Sequence, residues 1–260
     1  MIYKTIHQTW DDHNVPECSV PWTDSWKTNH PEWDYKLWSN DEGRKLIKDK
    51  FSWFLSTYDG YRYNIQRADA IRYFILHEFG GLYCDLDIWC AKNIDNLVDD
   101  SECVLFYEHP EHSLKHFFGS KPVLANSILY CQPGSKFTNM LIKRLQSTST
   151  YKAEFELEAF SRPTYDPIDC DAPATVIMST GPGIVTGTYY KYQPILNVSI
   201  HTHRCFEYCS KAERHEKLLN NDMSVPDDVF GIHWMMGSWI SSDMIKPTAD
   251  SKLKYKFRDK

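Results

Sequence analysis

Apolar and polar positions change in short runs from the start of the chain. Tyr3 to His7 predicts a strand, and Asp34 to Trp38, alternating apolar with polar residues, predicts another. Ser39 or Asn40 then caps a helix whose first turn carries Asp41 and Glu42. The period lengthens to that of a helix from about Asn64 to Phe79, where Ile65, Ala68, Ile75, Leu76 and Phe79 share one arc and Gly80-Gly81 stops the run. Further strands are predicted at Leu82 to Cys84, Cys103 to Tyr107, Ser127 to Cys131, Thr175 to Met178 and Val229 to His233, and a helix at Phe137 to Gln146. Strands alternating with helices predict an α/β fold, a mostly parallel central sheet flanked by helices. With no repeat and no linker, residues 1–245 read as one domain. Loop insertions near 108–122 and 147–172 and a basic tail at 246–260 complete it.

Two charges break the apolar arc of the 64–79 helix. Arg72 lies inside it and Asp69 at its edge, one turn earlier, so both face the interior, where an unpaired charge is expensive. A buried structural ion pair and a pair lining a polar pocket both satisfy this pattern. The next element favours the pocket. Asp85-Leu-Asp87 brings two carboxylates to a strand end at spacing two, where extended backbone puts them on one side. Two anions that close repel unless a proton or cation lies between them. A hard divalent ion, Mn²⁺ or Mg²⁺, takes such oxygens and then phosphate oxygens from a ligand. In open α/β sheets ligands bind beyond the carboxyl ends of the strands, which is where this pair falls.

Composition narrows the classes. A chain of 260 residues with 42% hydrophobic and 25% charged positions has the makings of a large core, which excludes disorder. The net charge of −6 argues against a nucleic-acid partner. It is uneven, because residues 246–260 carry six Lys or Arg against two Asp and leave −10 on the rest. That tail reads as a solvated end, with weak contact to an acidic membrane surface as the alternative. No apolar run reaches the ~18 residues a membrane span needs, and the N-terminus lacks the pattern of a signal peptide. Eight scattered cysteines suggest reduced thiols, so the expectation is a soluble, cytoplasmic protein.

Lys4-Thr-Ile-His-Gln-Thr-Trp10, followed by Arg67-Ala-Asp-Ala-Ile-Arg-Tyr-Phe-Ile-Leu-His-Glu-Phe-Gly-Gly-Leu-Tyr-Cys-Asp-Leu-Asp87, resembles the sugar-binding DXD region of glycosyltransferase family 32. That family includes initiating α-1,6-mannosyltransferases and inositol-phosphoceramide mannosyltransferases. Asn126-Ser-Ile-Leu, Gly181-Pro-Gly183 and His233-Trp-Met-Met-Gly-Ser-Trp239 fall in the family's order. The resemblance implies a GT-A-type nucleotide-sugar-binding fold, with His7, Gln8 and Trp10 near the nucleotide base. It assigns Asp69 and Arg72 to the donor sugar and diphosphate, Asp85 to ribose or metal-bound water, and Asp87 to the metal as its main ligand. Asn126 would lie at the sugar's reacting face, His233 would complete the metal or diphosphate site, and Ser238 and Trp239 would close over the leaving group. The implied activity is metal-dependent, retaining transfer of a hexose, mannose first, from GDP-mannose or a UDP-hexose to a glycan or glycolipid hydroxyl. The chemistry is consistent: a departing diphosphate gains negative charge that a divalent cation and Arg72 can neutralise.

Rival signals are weaker. Asp85-Leu-Asp87 also suits a haloacid-dehalogenase-type phosphohydrolase with Asp85 as nucleophile, but that resemblance expects a small hydroxyl residue where Trp89 stands. A non-catalytic carbohydrate-binding module, stacking sugars on some of the 9 Trp, is a third class. His201-Thr-His203-Arg-Cys205-Phe-Glu-Tyr-Cys209 offers zinc-type ligands at no common spacing and reads instead as strand-end and loop residues beside the cleft. His109, His112 and His116 read as loop residues in reach of the acceptor. Gly181-Pro-Gly183 with Gly187 misses the dinucleotide fingerprint by one position.

Overall fold

A computed structural model describes residues 2–114, 118–148 and 172–237. Strands β1 (Thr5–Thr9), β2 (Asp34–Trp38), β3 (Gly81–Cys84), β5 (Cys103–Phe106), β6 (Ile128–Cys131) and β7 (Val198–His201) form one six-stranded sheet in the order β2-β1-β3-β6-β5-β7. β4 (Ile88–Cys90) and β8 (Gly231–His233) make a separate antiparallel pair. In the large sheet β1 is parallel to β2 and β3, and β5 to β7, while β6 runs against both its neighbours. The described helices of at least five residues are α1 (Val20–Asn29), α2 (Asn40–Lys50), α3 (Leu55–Asp59), α4 (Asn64–Phe79), α5 (Lys136–Thr148), α6 (Ala172–Ser179), α7 (Pro182–Tyr192) and α8 (Lys211–Leu219).

The sheet is covered on both faces, and strand alternation sorts the side chains. Tyr83, Leu105, Leu129 and Cys131 join Ile47, Phe74, Leu141 and Ile184 in one apolar cluster. Leu82, Cys84, Val104, Phe106, Ile128 and Tyr130 point the other way, onto Ile6, Trp26, Trp33 and Phe206. β3, β5 and β6 are buried along their whole length, so they read as continuous apolar runs.

Several elements match their sequence patterns. Ser39, of the two candidates, caps α2: its Oγ accepts from the Glu42 N–H at 3.2 Å while the Glu42 carboxylate accepts the Ser39 N–H at 2.9 Å. Gly80 and Gly81 end α4 with φ of +67° and +94°. A Cβ on Gly81 would stand 2.3 Å from the Thr5 carbonyl oxygen, so only glycine lets β3 approach β1 there.

Others depart from them. The apolar arc proposed for α4 is too narrow, since every residue from Asp69 to Leu76 is buried between the sheet, α2 and α5, whereas Phe79 is 43% exposed. Thr175 to Met178 lies inside helix α6, not a strand, and the Thr180 and Gly181 amides both close on the Val176 carbonyl, at 3.1 and 3.0 Å. Packing beside α4, with the Tyr73 hydroxyl donating to the Thr180 carbonyl at 2.6 Å, overrides the β-branched preference of that run. Among its described residues the expected loop at 108–122 holds a short turn, Pro110–His112, while His116, most of the 147–172 insertion and the basic tail lie outside the described residues. Among the described residues no helix is long and apolar enough to cross a membrane.

His7, buried on β1, donates through Nε2 to the Gly80 carbonyl at 2.9 Å and accepts the Trp38 indole N–H at Nδ1, 3.2 Å away. Burial pushes its pKa from 6.5 down to about 4. The folded state therefore favours the neutral ring. Its stabilisation is complete above pH 6.5 and is lost as pH falls toward about 4, by about 3 kcal/mol. The melting temperature of the wild-type chain is expected to fall more steeply between these pH values than that of His7→Gln; parallel slopes would contradict the assignment.

Candidate active site

The chain leaves the sheet at the carboxyl end of β3. The Asp85 N–H donates to the Ser127 carbonyl at 2.8 Å and the Ile88 N–H to the Asp85 carbonyl at 3.1 Å, closing a tight turn over Asp85 to Asp87. The two aspartates thus converge through a turn, not through the extended backbone expected from their spacing. β4 follows and pairs with β8, and its register, Ile88 opposite His233, delivers the imidazole to that turn. A Cβ at Gly231 would lie 2.2 Å from the Trp89 carbonyl oxygen, so this close pairing needs glycine. Beyond β8 the chain wraps Asp87: the Trp234 N–H donates to its carbonyl at 2.9 Å and the Met236 N–H to its Oδ2 at 2.8 Å.

The result is a compact donor set. One ligand atom from each of Asp85, Asp87 and His233 lies within 4.8 Å of the others, with His233 Nε2 3.5 Å from Asp87 Oδ1. Opposite ligands of one hard ion stand about 4 Å apart, so small side-chain adjustments would seat a divalent cation among them. Among the described residues no other group of three or more His, Cys, Asp or Glu has this geometry. That includes the His201 to Cys209 stretch, where the His201 Nε2 instead bonds the Leu97 carbonyl at 2.8 Å.

Arg72 reaches the same place from α4. Its Nη2 lies 2.9 Å from Asp69 Oδ1 and 3.4 Å from Asp85 Oδ1, its Nη1 donates to the Asn126 carbonyl at 2.6 Å, and the guanidinium stands over the Tyr83 ring at 4.7 Å. The Tyr83 hydroxyl donates to Asp85 Oδ1 at 2.7 Å. Asp69 accepts from the Asn126 side-chain amide and from Thr180 Oγ1, both at 3.0 Å. Burial raises the Asp69 pKa to about 6 against the pull of Arg72, and burial likewise raises that of Asp85. Burial works against the charge on His233 too, but Asp87 and Glu207 overcome it and raise its pKa to about 10. Burial opposes the Asp87 anion, yet His233 holds its pKa below the usual carboxylate value.

The structure brings together Asp69, Arg72, Asp85, Asp87, Asn126 and His233. Gln8 joins them by donating to the Asp85 carbonyl at 3.2 Å, with Tyr35 donating to its Oε1 at 2.7 Å. His7 has both ring nitrogens engaged by Gly80 and Trp38, and Trp10 is half-buried just past β1, its N–H on the Trp38 carbonyl at 3.0 Å. Ser238 and Trp239 lie outside the described residues. Sequence reasoning gave no role to Tyr83, Thr180 or Glu207; Tyr83 stands in the Arg67 to Asp87 block and Glu207 in the His201 to Cys209 stretch placed beside the cleft, while Thr180 had no signal.

Residues 16–104 match the family model described as the glycosyltransferase sugar-binding region containing the DXD motif. The Asp85-Leu-Asp87 turn is that DXD motif. Inositol phosphoceramide mannosyltransferase 3 of Schizosaccharomyces pombe is 45% identical over 97 residues, 37% of this chain and 27% of that protein. Mannosyl phosphorylinositol ceramide synthase SUR1 of Saccharomyces cerevisiae is 42% identical over 98 residues, covering 38% and 26%. The initiation-specific α-1,6-mannosyltransferase of Candida albicans is 28% identical over 109 residues, covering 39% and 28%. The matched stretch thus spans less than a third of the length of each of these relatives. The solved PaToxG glycosyltransferase aligns with a TM-score of 0.53 at 14% identity, over 85% of this chain and 74% of its own, which shows a GT-A-type fold.

Arg72 is the buried cation shared by Asp69 and Asp85. Arg72→Met strands two carboxylates and is expected to cost about 3–5 kcal/mol in urea unfolding. Adding Asp69→Asn should recover part of that loss, whereas a single variant as stable as wild type would contradict the ion-pair assignment.

Proposed function

We propose that this chain is a metal-dependent, retaining hexosyltransferase that moves mannose from GDP-mannose to a glycolipid or glycan hydroxyl. The observation that carries the reading is the convergence of Asp85, Asp87 and His233 beside the buried Arg72–Asp69 pair at a strand's carboxyl end. The mannosyltransferase relatives support the choice of sugar, and those named for inositol phosphoceramide support a glycolipid acceptor. A phosphohydrolase reading has no such support, and Asp85 Oδ1, its nucleophile, already accepts from Tyr83 and faces Arg72.

Asp85, Asp87 and His233 would hold Mn²⁺ or Mg²⁺, which when bound supplies positive charge for the departing diphosphate. Arg72 adds a second positive group on the other side of Asp85, pre-oriented by Asp69 and the Asn126 carbonyl, so little reorganisation is needed as charge develops. Gln8 fixes the backbone of the first motif aspartate. Asn126, tied to Asp69, is set to meet the donor sugar. Asp69 is the buried carboxylate nearest Arg72, and both of its oxygens are already occupied, Oδ1 by Arg72 and Asn126 and Oδ2 by Thr180. It is therefore no nucleophile. The acceptor oxygen attacks the anomeric carbon on the face the diphosphate leaves; the sugar–phosphate bond breaks, the new glycosidic bond forms, and the hydroxyl proton passes to the phosphate oxygen.

With GDP-mannose, Mn²⁺ and an inositol-phosphate glycolipid, wild type should release GDP and Asp87→Asn should be slower by about 100-fold or more. Equal rates would contradict the site. Turnover confined to a UDP-hexose would overturn the donor assignment alone. NMR of the product should show the donor's anomeric configuration, and an inverted linkage would contradict the same-face attack.

A further inference from the structure

We propose that Glu207 is the positioning residue for His233: by accepting the Nδ1–H of the imidazole it makes Nε2 the nitrogen that offers a lone pair when a cation held with Asp85 and Asp87 displaces its proton to solvent. This rests on the reading of those three residues as an ion-binding group and adds a fourth residue behind them.

A neutral imidazole carries its proton on one nitrogen and its lone pair on the other, so whatever holds one nitrogen decides what the other can do. Glu207 Oε1 lies 3.0 Å from His233 Nδ1, and Nε2 of the same ring faces Asp87 Oδ1 at 3.5 Å. An ionised carboxylate accepts and cannot donate, which keeps the proton on Nδ1. The competing partner at Nδ1, Ser127 Oγ, is farther away at 3.5 Å.

Glu207 is itself held. It is 3% exposed, its Oε2 accepts the His109 N–H at 2.7 Å and faces His112 Nδ1 at 3.4 Å. His109 caps the Pro110–His112 turn, whose Glu111 pairs with Arg214 Nη2 at 3.1 Å. Arg214 is 4% exposed and donates through Nη1 to the Cys209 carbonyl at 2.9 Å. The carboxylate is thus fixed from behind by the 108–112 segment and α8, and orients the ring in front. Ligating histidines are commonly held this way, and losing the outer carboxylate costs about 10–100-fold in metal affinity.

The test is Mn²⁺ titration of the full chain, with EPR reading the free ion and pulsed EPR reading ¹⁴N coupling of the bound ion. Wild type should bind Mn²⁺ with imidazole nitrogen coupling. Glu207→Gln, whose amide can donate to Nδ1 and so favour the wrong tautomer, should bind about 10–100-fold more weakly and lose that coupling, and Glu207→Asp should restore the coupling. Unchanged affinity and coupling in Glu207→Gln would overturn the role of Glu207 and leave the ion site standing. Absence of Mn²⁺ binding in wild type would overturn both. Should Glu207→Gln fail to fold, ¹⁵N NMR of Mg²⁺-loaded wild type decides: a protonated Nδ1 on His233 supports the role, and a protonated Nε2 overturns it.

Discussion

Three carboxylates, Asp69, Asp85 and Asp87, are drawn into one corner of the fold, and their mutual repulsion is the constraint that the surrounding structure answers. Two cationic side chains answer it from opposite sides. Arg72 stands between Asp69 and Asp85. His233 stands between Asp87 and Glu207. Neither cation comes cheaply, since burial disfavours both charges, and each is retained because its anionic neighbours outweigh that penalty. The arrangement alternates in sign from Asp69 through Arg72 to Asp85, and from Asp87 through His233 to Glu207.

The fold exists to hold that alternation still. α4 is buried along its middle turns and therefore has no freedom to rotate Arg72 away. β3 ends at Cys84, and the turn that follows takes its direction from a bond to Ser127 on the neighbouring strand end. The small β4–β8 pair then carries His233 across more than a hundred residues of sequence to meet that turn. Arg72 on α4, the Asp85 to Asp87 turn pinned to Ser127, and His233 on the β4–β8 pair are thus each held by packing or pairing rather than by the site itself.

Much of this was written in local sequence. The Ser39 and Glu42 capping pair, the Gly80-Gly81 stop and the buried charges of α4 act over a few residues, so pattern alone exposes them. The Asp-Leu-Asp spacing exposed the aspartates but not the turn that makes them converge, because that turn depends on Ser127, 42 residues away in the chain from Asp85. Thr180 binding Asp69 and Glu207 binding His233 are likewise long-range, and nothing near either residue announces its partner. The Thr175 to Met178 run failed for a different reason. Its β-branched residues favour a strand in isolation, but the space beside α4 admits a helix. β7, short and half-buried at the sheet edge, gave too weak a pattern to find.

Crystals grown with Mn²⁺ and a nucleoside diphosphate, measured at the manganese absorption edge, should show one anomalous peak at coordination distance from Asp85, Asp87 and His233 Nε2, with the diphosphate on the ion and Arg72 still on Asp69. Manganese absent from that corner, or bound there with His233 Nε2 still directed at the Asp87 carboxylate, would contradict it.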